Sequence, residues 1–263
     1  MMKNDPFEAH DITHLSASSI NQFISSPCHW LLKVSGYRSS SSPAMWRGTA
    51  IDNAICNSFD MDSESESRLQ ESIVNAKKDF DRLYNHNIDD TIFVSSEDIN
   101  KERDKLEEWV NLGVNFYNNL ETKPIECQRK IEIEFEDIPI PVIGYIDLTY
   151  EDCIRDIKTT ARLLSDTPSS ICRQLSLYSL AENKPAYVDF LHVTSKKADV
   201  VTREITNVEE NVSVLRKAAF AMMNLLSYSD DIRTVASLLY PDFDDWRWSD
   251  EDIEAAKNLW SIK

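Results

Sequence analysis

Residues 144–160, GYIDLTYEDCIRDIKTT, constrain the fold more than any other stretch of the chain. Ile143, Ile146 and Leu148 lead to Tyr150, an apolar run resumes over 153–157, and Glu151-Asp152 supplies a two-residue connection, so the stretch reads as a β-hairpin. In that register residue 150 pairs with 153, 149 with 154, 148 with 155 and 147 with 156. Asp147 and Asp156 then face each other across the strand pair, and Lys158, two residues on, shares their side of the sheet. Carboxylates so placed repel, so either the register differs there or a cation lies between them, and a divalent metal with oxygen ligands is the usual cation.

Helical patterns precede the hairpin. Ser16 is placed to cap a short helix carrying Ile20, Phe23 and Ile24, and Pro27 opens a second with Trp30, Leu31 and Leu32, stopped at Gly36. Residues 1–14 read as loose, and the Ser-rich run 39–42 with Pro43 reads as a loop. In MWRGTAIDNAICNSF the small residues Gly48, Thr49 and Ala50 allow close backbone approach, and Asp52 lies one turn after Gly48. On an isolated helix Asp52 is a solvated residue; beside the hairpin it becomes a candidate third carboxylate. An acidic linker or helix start over 60–67 leads to two long helical patterns at 64–84 and 96–120, whose charges read as a solvated face.

The period changes to two from Ile125, with Ile131, Ile133 and Phe135 alternating against Glu132 and Glu134. After the hairpin, Thr167 and Pro168 predict a helix start, and Gln174 and Tyr178, four apart, share a helical face with Arg173 beside them. Taken alone, that pair is an ordinary amphipathic helix. A second strand pair around SKKAD contains His192, read as a strand residue, and helices over 208–227, 230–240 and the last segment close the chain.

At 263 residues the chain reads as one domain, 1–263, with a helical insertion at 60–122 and a C-terminal helical extension at 206–263. The net charge of -17, from 28 basic and 45 acidic residues, argues against a large DNA-coating surface. It leaves room for an enzyme that grips a few phosphates with a local basic strip, for which Lys33, Arg38, Arg47, Arg173, Lys196 and Lys197 are candidates. No stretch approaches the ~20 apolar residues of a membrane span and no signal region opens the chain, so the expectation is a cytoplasmic protein, in a bacterium or a phage-infected host, with no membrane partner. The five cysteines, without a CxxC pair, read as reduced and buried. Phosphate-binding glycine loops, the GxSxG elbow and HExxH are absent from the sequence. Two aspartates with a nearby lysine suit phosphodiester hydrolysis with Mg²⁺ or Mn²⁺, the lysine orienting or deprotonating water or stabilising developing charge.

The ordered set Leu15-Ser16-Ala17-Ser18, Gly48 to Asp52, Gly144 to Asp147, Asp156 to Lys158 and Gln174 to Tyr178 resembles the PD-(D/E)XK nuclease superfamily, in its RecB-like branch of phage and CRISPR-associated exonucleases. Each motif is weak alone; five in this order are specific. The resemblance implies an α/β (α+β) fold with a central mixed β-sheet flanked by helices, a restriction-endonuclease-like core. It implies catalytic roles for Asp147, Asp156 and Lys158, metal ligation by Asp52, Asp147, Asp156 and the backbone carbonyl of Ile157, and substrate contacts from Ser16, Ser18, Gln174 and Tyr178. Asp52 stands where the family usually has a histidine, and carboxylate oxygen remains a good ligand for a hard metal. Relatives that hold an iron–sulfur cluster use three C-terminal cysteines, whereas no cysteine follows Cys172 here, so no cluster is expected. The implied activity is metal-dependent DNA hydrolysis by an exonuclease of phage or prokaryotic recombination or processing. DNA is the implied partner, with a recombination or replication protein as a further candidate and the oligomeric state open. The competing reading is a catalytically silent subunit of the same fold that binds DNA ends or another protein.

Overall fold

The computed structural model describes residues 5–39, 41–61, 65–86 and 95–262. Parts of the loose segment expected over 1–14, the serine-rich loop over 39–42 and the acidic linker over 60–67 fall outside these residues. Five strands, β1 (Glu126–Ile133), β2 (Val142–Thr149), β3 (Ile154–Thr160), β4 (Ala186–Thr194) and β5 (Lys197–Glu204), lie side by side in chain order. All neighbours are antiparallel except β3 and β4, which run parallel. A parallel pair needs a crossover, and α7 (Ser169–Glu182) supplies it. The sheet is therefore mixed and flanked by helices, as the resemblance implied.

Before β1 come α1 (Ala17–Ser25), α2 (Pro27–Val34), α3 (Pro43–Ser58), α4 (Ser65–His86), α5 (Ser96–Asp104) and α6 (Leu106–Asn118); after β5 come α8 (Val208–Leu226), α9 (Ile232–Ala236) and α10 (Asp250–Trp260). Two cores form. In the first, Ile20 of α1, Leu31 of α2, Leu175 of α7 and Leu215 and Met222 of α8 pack with Val142, Ile146, Ile154 and Val188 of the sheet. In the second, Ile51 and Ile55 of α3, Phe80 of α4 and Trp109 and Val114 of α6 pack with Leu148, Ile157 and Leu191. Residues such as Ile55 and Phe80, with no exposed surface, each contribute about 1.5–3 kcal/mol by leaving water. Among the described residues no helix is long and apolar enough to cross a membrane.

Several boundaries differ from the sequence expectation. Pro43 opens α3 rather than closing a loop: it has no N–H to leave unpaired in a first turn, and the Ser42 hydroxyl accepts the Met45 amide at 3.3 Å. Pro168 caps α7 from outside, with ψ 135°, so the helix starts one residue later than Thr167 and Pro168 suggest. The helix expected over 96–120 breaks at Lys105. Its first half buries only Ile99, its second buries a full apolar face, and Glu102, just before the break, meets both Lys105 (2.6 Å) and Arg47 of α3. The strand expected at 131–135 runs instead over Glu126–Ile133.

Candidate active site

The hairpin register is the expected one at its turn: Leu148 pairs with Arg155, Thr149 with Ile154, and the Tyr150 amide donates to the Cys153 carbonyl at 2.9 Å. The expected pairing of 147 with 156 does not follow. β2 and β3 part there, and the Asp147 carboxylate fills the gap by accepting the Ile157 amide at 2.8 Å through Oδ2. Alternation breaks at the same point, because Ile146 belongs to the first core and Leu148 to the second. On β1 the residue opposite Asp147 is Gln128, with φ of 51°, a left-handed conformation that residues with side chains seldom adopt. Its Nε2 donates to Asp147 Oδ1 at 3.3 Å. Asp147 thus splits the sheet locally instead of facing Asp156 across a closed ladder.

Asp156 on β3 is buried, and its Oδ2 receives no aligned hydrogen bond even though the Lys158 ammonium stands 2.5 Å away as an ion-pair contact. Lys158 is partly exposed. The fourth group, Asp52, arrives from α3, whose Gly48 passes close to β3: a Cβ added there would lie 4.0 Å from Thr159 Oγ1. The Cys56 thiol of the same helix donates to the Asp147 carbonyl at 3.8 Å, which fixes α3 against β2.

The four charges act on one another. Burial, then Asp156, push the Asp147 carboxyl up to about 7, against the pull of Lys158, the Ile157 amide and Gln128. Burial and the charges of Asp147 and Asp156 raise Asp52 well above the carboxylate range, with Lys158 opposing. Burial works against a charged Lys158, but Asp156, Asp147 and Asp52 together outweigh it and hold the ammonium above its ordinary pKa. Among the described residues no three His, Cys, Asp or Glu side chains converge into a closed metal-binding group. The donor chemistry nevertheless fits a hard divalent cation: two carboxylates, Asp52 and Asp147, destabilised by burial and by neighbouring charge, beside the buried Asp156, whose Oδ2 meets only the Lys158 ammonium.

Asp147 opens into a cleft of about 360 Å³, also lined by Ser16, Ser18, Gln174 and Tyr178. The wall is placed by two devices. Leu15 bridges to the start of β2, its amide donating to the Pro141 carbonyl at 2.9 Å and its carbonyl accepting the Ile143 amide at 2.8 Å, so the capping box of Ser16 and Ser19 begins α1 at the cleft edge. Across from it, the Tyr178 ring covers Gly144, where a Cβ would come within 3.0 Å of the Tyr178 hydroxyl and closer still to the ring. Gln174 Nε2 donates to that hydroxyl at 3.0 Å, so the pair is a hydrogen-bonded unit. Lys158 opens instead on a smaller concavity of about 200 Å³ with Thr160, Arg162 and Phe190. The Ile157 backbone is engaged with the site through its amide.

Some expected residues lie elsewhere. Arg155 turns from the site and pairs with Asp189 at 3.0 Å. Of the proposed basic strip, Arg47 is paired with Glu102 and lies over the Trp109 ring, Arg173 donates to Asn21, and Lys197 pairs with Asp199. Lys33 and Arg38 line a neighbouring concavity. The sequence reading missed Gln128, Lys130, His14 and Tyr145, all in the cleft wall. Gln128, Lys130 and Tyr145 sit on the exposed positions of β1 and β2 next to motif residues, and that adjacency was the one available signal.

The family model described as PD-(D/E)XK nuclease superfamily matches residues 14–235. Comparison with curated proteins gives no match. Among solved structures, the crystal structure of SSO0001 is similar with a TM-score of 0.35 and 11% identity, 67% of this chain and 85% of that one being covered.

Proposed function

The chain belongs to the PD-(D/E)XK nuclease superfamily, and from that premise we propose that it is a Mg²⁺- or Mn²⁺-dependent DNA exonuclease of the RecB-like branch, acting in phage or prokaryotic recombination or processing. The observation that carries the reading is the mutual grip of Asp52, Asp147, Asp156 and Lys158, three repelling acids and one ammonium delivered by α3, β2 and β3. Asp52, Asp147 and Asp156, with the Ile157 carbonyl, are the groups that hold the metal. A divalent ion held there supplies Lewis-acid polarisation of a phosphoryl oxygen and lowers the pKa of water. Lys158 donates to the attacking water or to the phosphate oxygen on which charge develops. Gln174 and Tyr178, braced on Gly144, together with Ser16 and Ser18, position the DNA backbone along the cleft. Residues 60–122 form an inserted unit and 206–263 an extension of the one domain.

An iron–sulfur cluster has no place in this reading. Cys28 is buried with Leu32 and Trp248, no other cysteine belongs to that group, and burial raises its thiol to about 11.

End-labelled DNA incubated with Mg²⁺ or Mn²⁺ should be degraded from its ends, and EDTA should stop the reaction. Asp156→Ala and Lys158→Ala should each lower the rate by at least about 10²–10³-fold. Undiminished cleavage by either variant would sink the assignment, and absence of both cleavage and divalent binding by calorimetry would favour the silent subunit.

A further inference from the structure

The cleft at Asp147 does not end at α1. A second concavity of about 540 Å³ shares His14 and Ser16 with it and continues to Lys33 and Arg38 at the end of α2. Both of these side chains are exposed. Among the described residues no salt bridge engages them; Arg38 donates only to the main-chain carbonyls of Lys33 and Tyr37, at 3.4 Å. In a chain of net charge -17, whose other candidate cations are largely paired with acids or amides, two cations without a salt bridge outnumber the one acid, Asp11, that lines the same concavity, which is a local reversal of sign next to the site. At the opposite end, the cleft presents the ring of Tyr145, 54% exposed on β2 two residues before Asp147, with Lys130 as its cross-strand partner.

Resting on the nuclease reading, we propose that the joined concavity is a track for one unpaired DNA strand. Tyr145 stacks the base beside the scissile phosphate, and Lys33 and Arg38 hold phosphates further along. The substrate class follows from the pairing of features. A cationic groove with an exposed ring is the arrangement that binds single strands without sequence preference. A ring of this kind gains a stacking partner only from a base that has left the duplex. The track therefore selects single-stranded DNA or a frayed terminus over a blunt duplex.

Binding of a fluorescein-labelled dT oligonucleotide, with Ca²⁺ in place of Mg²⁺, separates this from the chemistry. Tyr145→Ala should weaken binding by about tenfold, while Tyr145→Phe, which keeps the ring, should bind as the parent does. The Lys33→Gln/Arg38→Gln double variant should reduce the slope of log K against log salt by about 1.4, from about 0.7 for each cation on a single strand. A blunt duplex should bind more weakly than the oligonucleotide in the parent. Unchanged affinity and salt slope in both variants, or equal binding of blunt duplex, would overturn the track. A protein that meets these expectations yet never cleaves with Mg²⁺ or Mn²⁺ would overturn the nuclease reading and leave the track standing.

Discussion

Two buried aspartates on neighbouring strands differ in a way that separates scaffold from site. Asp189 on β4 has no exposed surface but is fully answered: Arg155 at 3.0 Å, the Tyr117 hydroxyl at 2.9 Å and the Thr202 hydroxyl at 2.6 Å. Asp156 is answered at its buried Oδ2 only by the Lys158 ammonium, 2.5 Å away and without an aligned hydrogen bond, and its neighbour Asp147 is pushed up to about 7 by burial and by Asp156. Satisfied buried acids stabilise a fold; unsatisfied ones call for an explanation such as an ion. Asp147 makes the difference measurable. Its folded-state pKa of about 7 lies above its ordinary value of 3.8, so between about pH 4 and 7 the metal-free folded state keeps a proton that the unfolded chain has released. Stability from this group is fully present below about pH 4 and is lost as pH rises through 7. Thermal unfolding in EDTA should therefore show Asp147→Asn gaining on the parent across that window, since an amide does not titrate. Parallel curves for the two proteins would refute the electrostatic picture of the site.

At the scale of elements, the site is a helix, a split hairpin and a crossover, and the crossover is fitted to β2 through one glycine. Gly144→Ala places a methyl group against the Tyr178 ring, which is buried and tied to Gln174, so the ring or the strand has to move. Overpacking of this kind costs about 1–3 kcal/mol, and the substitution should also raise KM by displacing the Gln174–Tyr178 wall. A denaturant midpoint and a KM within error of the parent's would show that the contact has no such role. The sequence made part of this legible. Spacing alone gave the turn at Glu151-Asp152, the cap at Ser16 and the shared face of Gln174 and Tyr178. It could not give the parting of β2 and β3 at Asp147, because alternation assumes an unbroken ladder and the left-handed Gln128 opposite carries no glycine to announce it. The break at Lys105 was hidden for a related reason: the apolar positions Ile99, Leu106 and Trp109 continue through it. The same holds for Tyr145 and Lys130, whose value lies in which cleft they border.

Over the whole molecule, the sheet is enclosed by two helical layers, and α3 brings Asp52 to the strands on which Asp147, Asp156 and Lys158 lie. A net charge of -17 opposes this compaction by self-repulsion and opposes the approach of DNA, so cations should act on the protein in two separable ways. Monovalent salt screens the general repulsion and should raise the unfolding temperature in any variant. A divalent ion bound at the carboxylates adds a site-specific increment, about 2.7 kcal/mol at a concentration a hundred times its Kd. At matched ionic strength, Mg²⁺ should therefore raise the unfolding temperature of the parent above that in NaCl, and Asp156→Asn should lose that excess while keeping the NaCl response. If the excess persists in Asp156→Asn, the ion acts on the acidic surface as a whole and the buried oxygen of Asp156 is not its ligand.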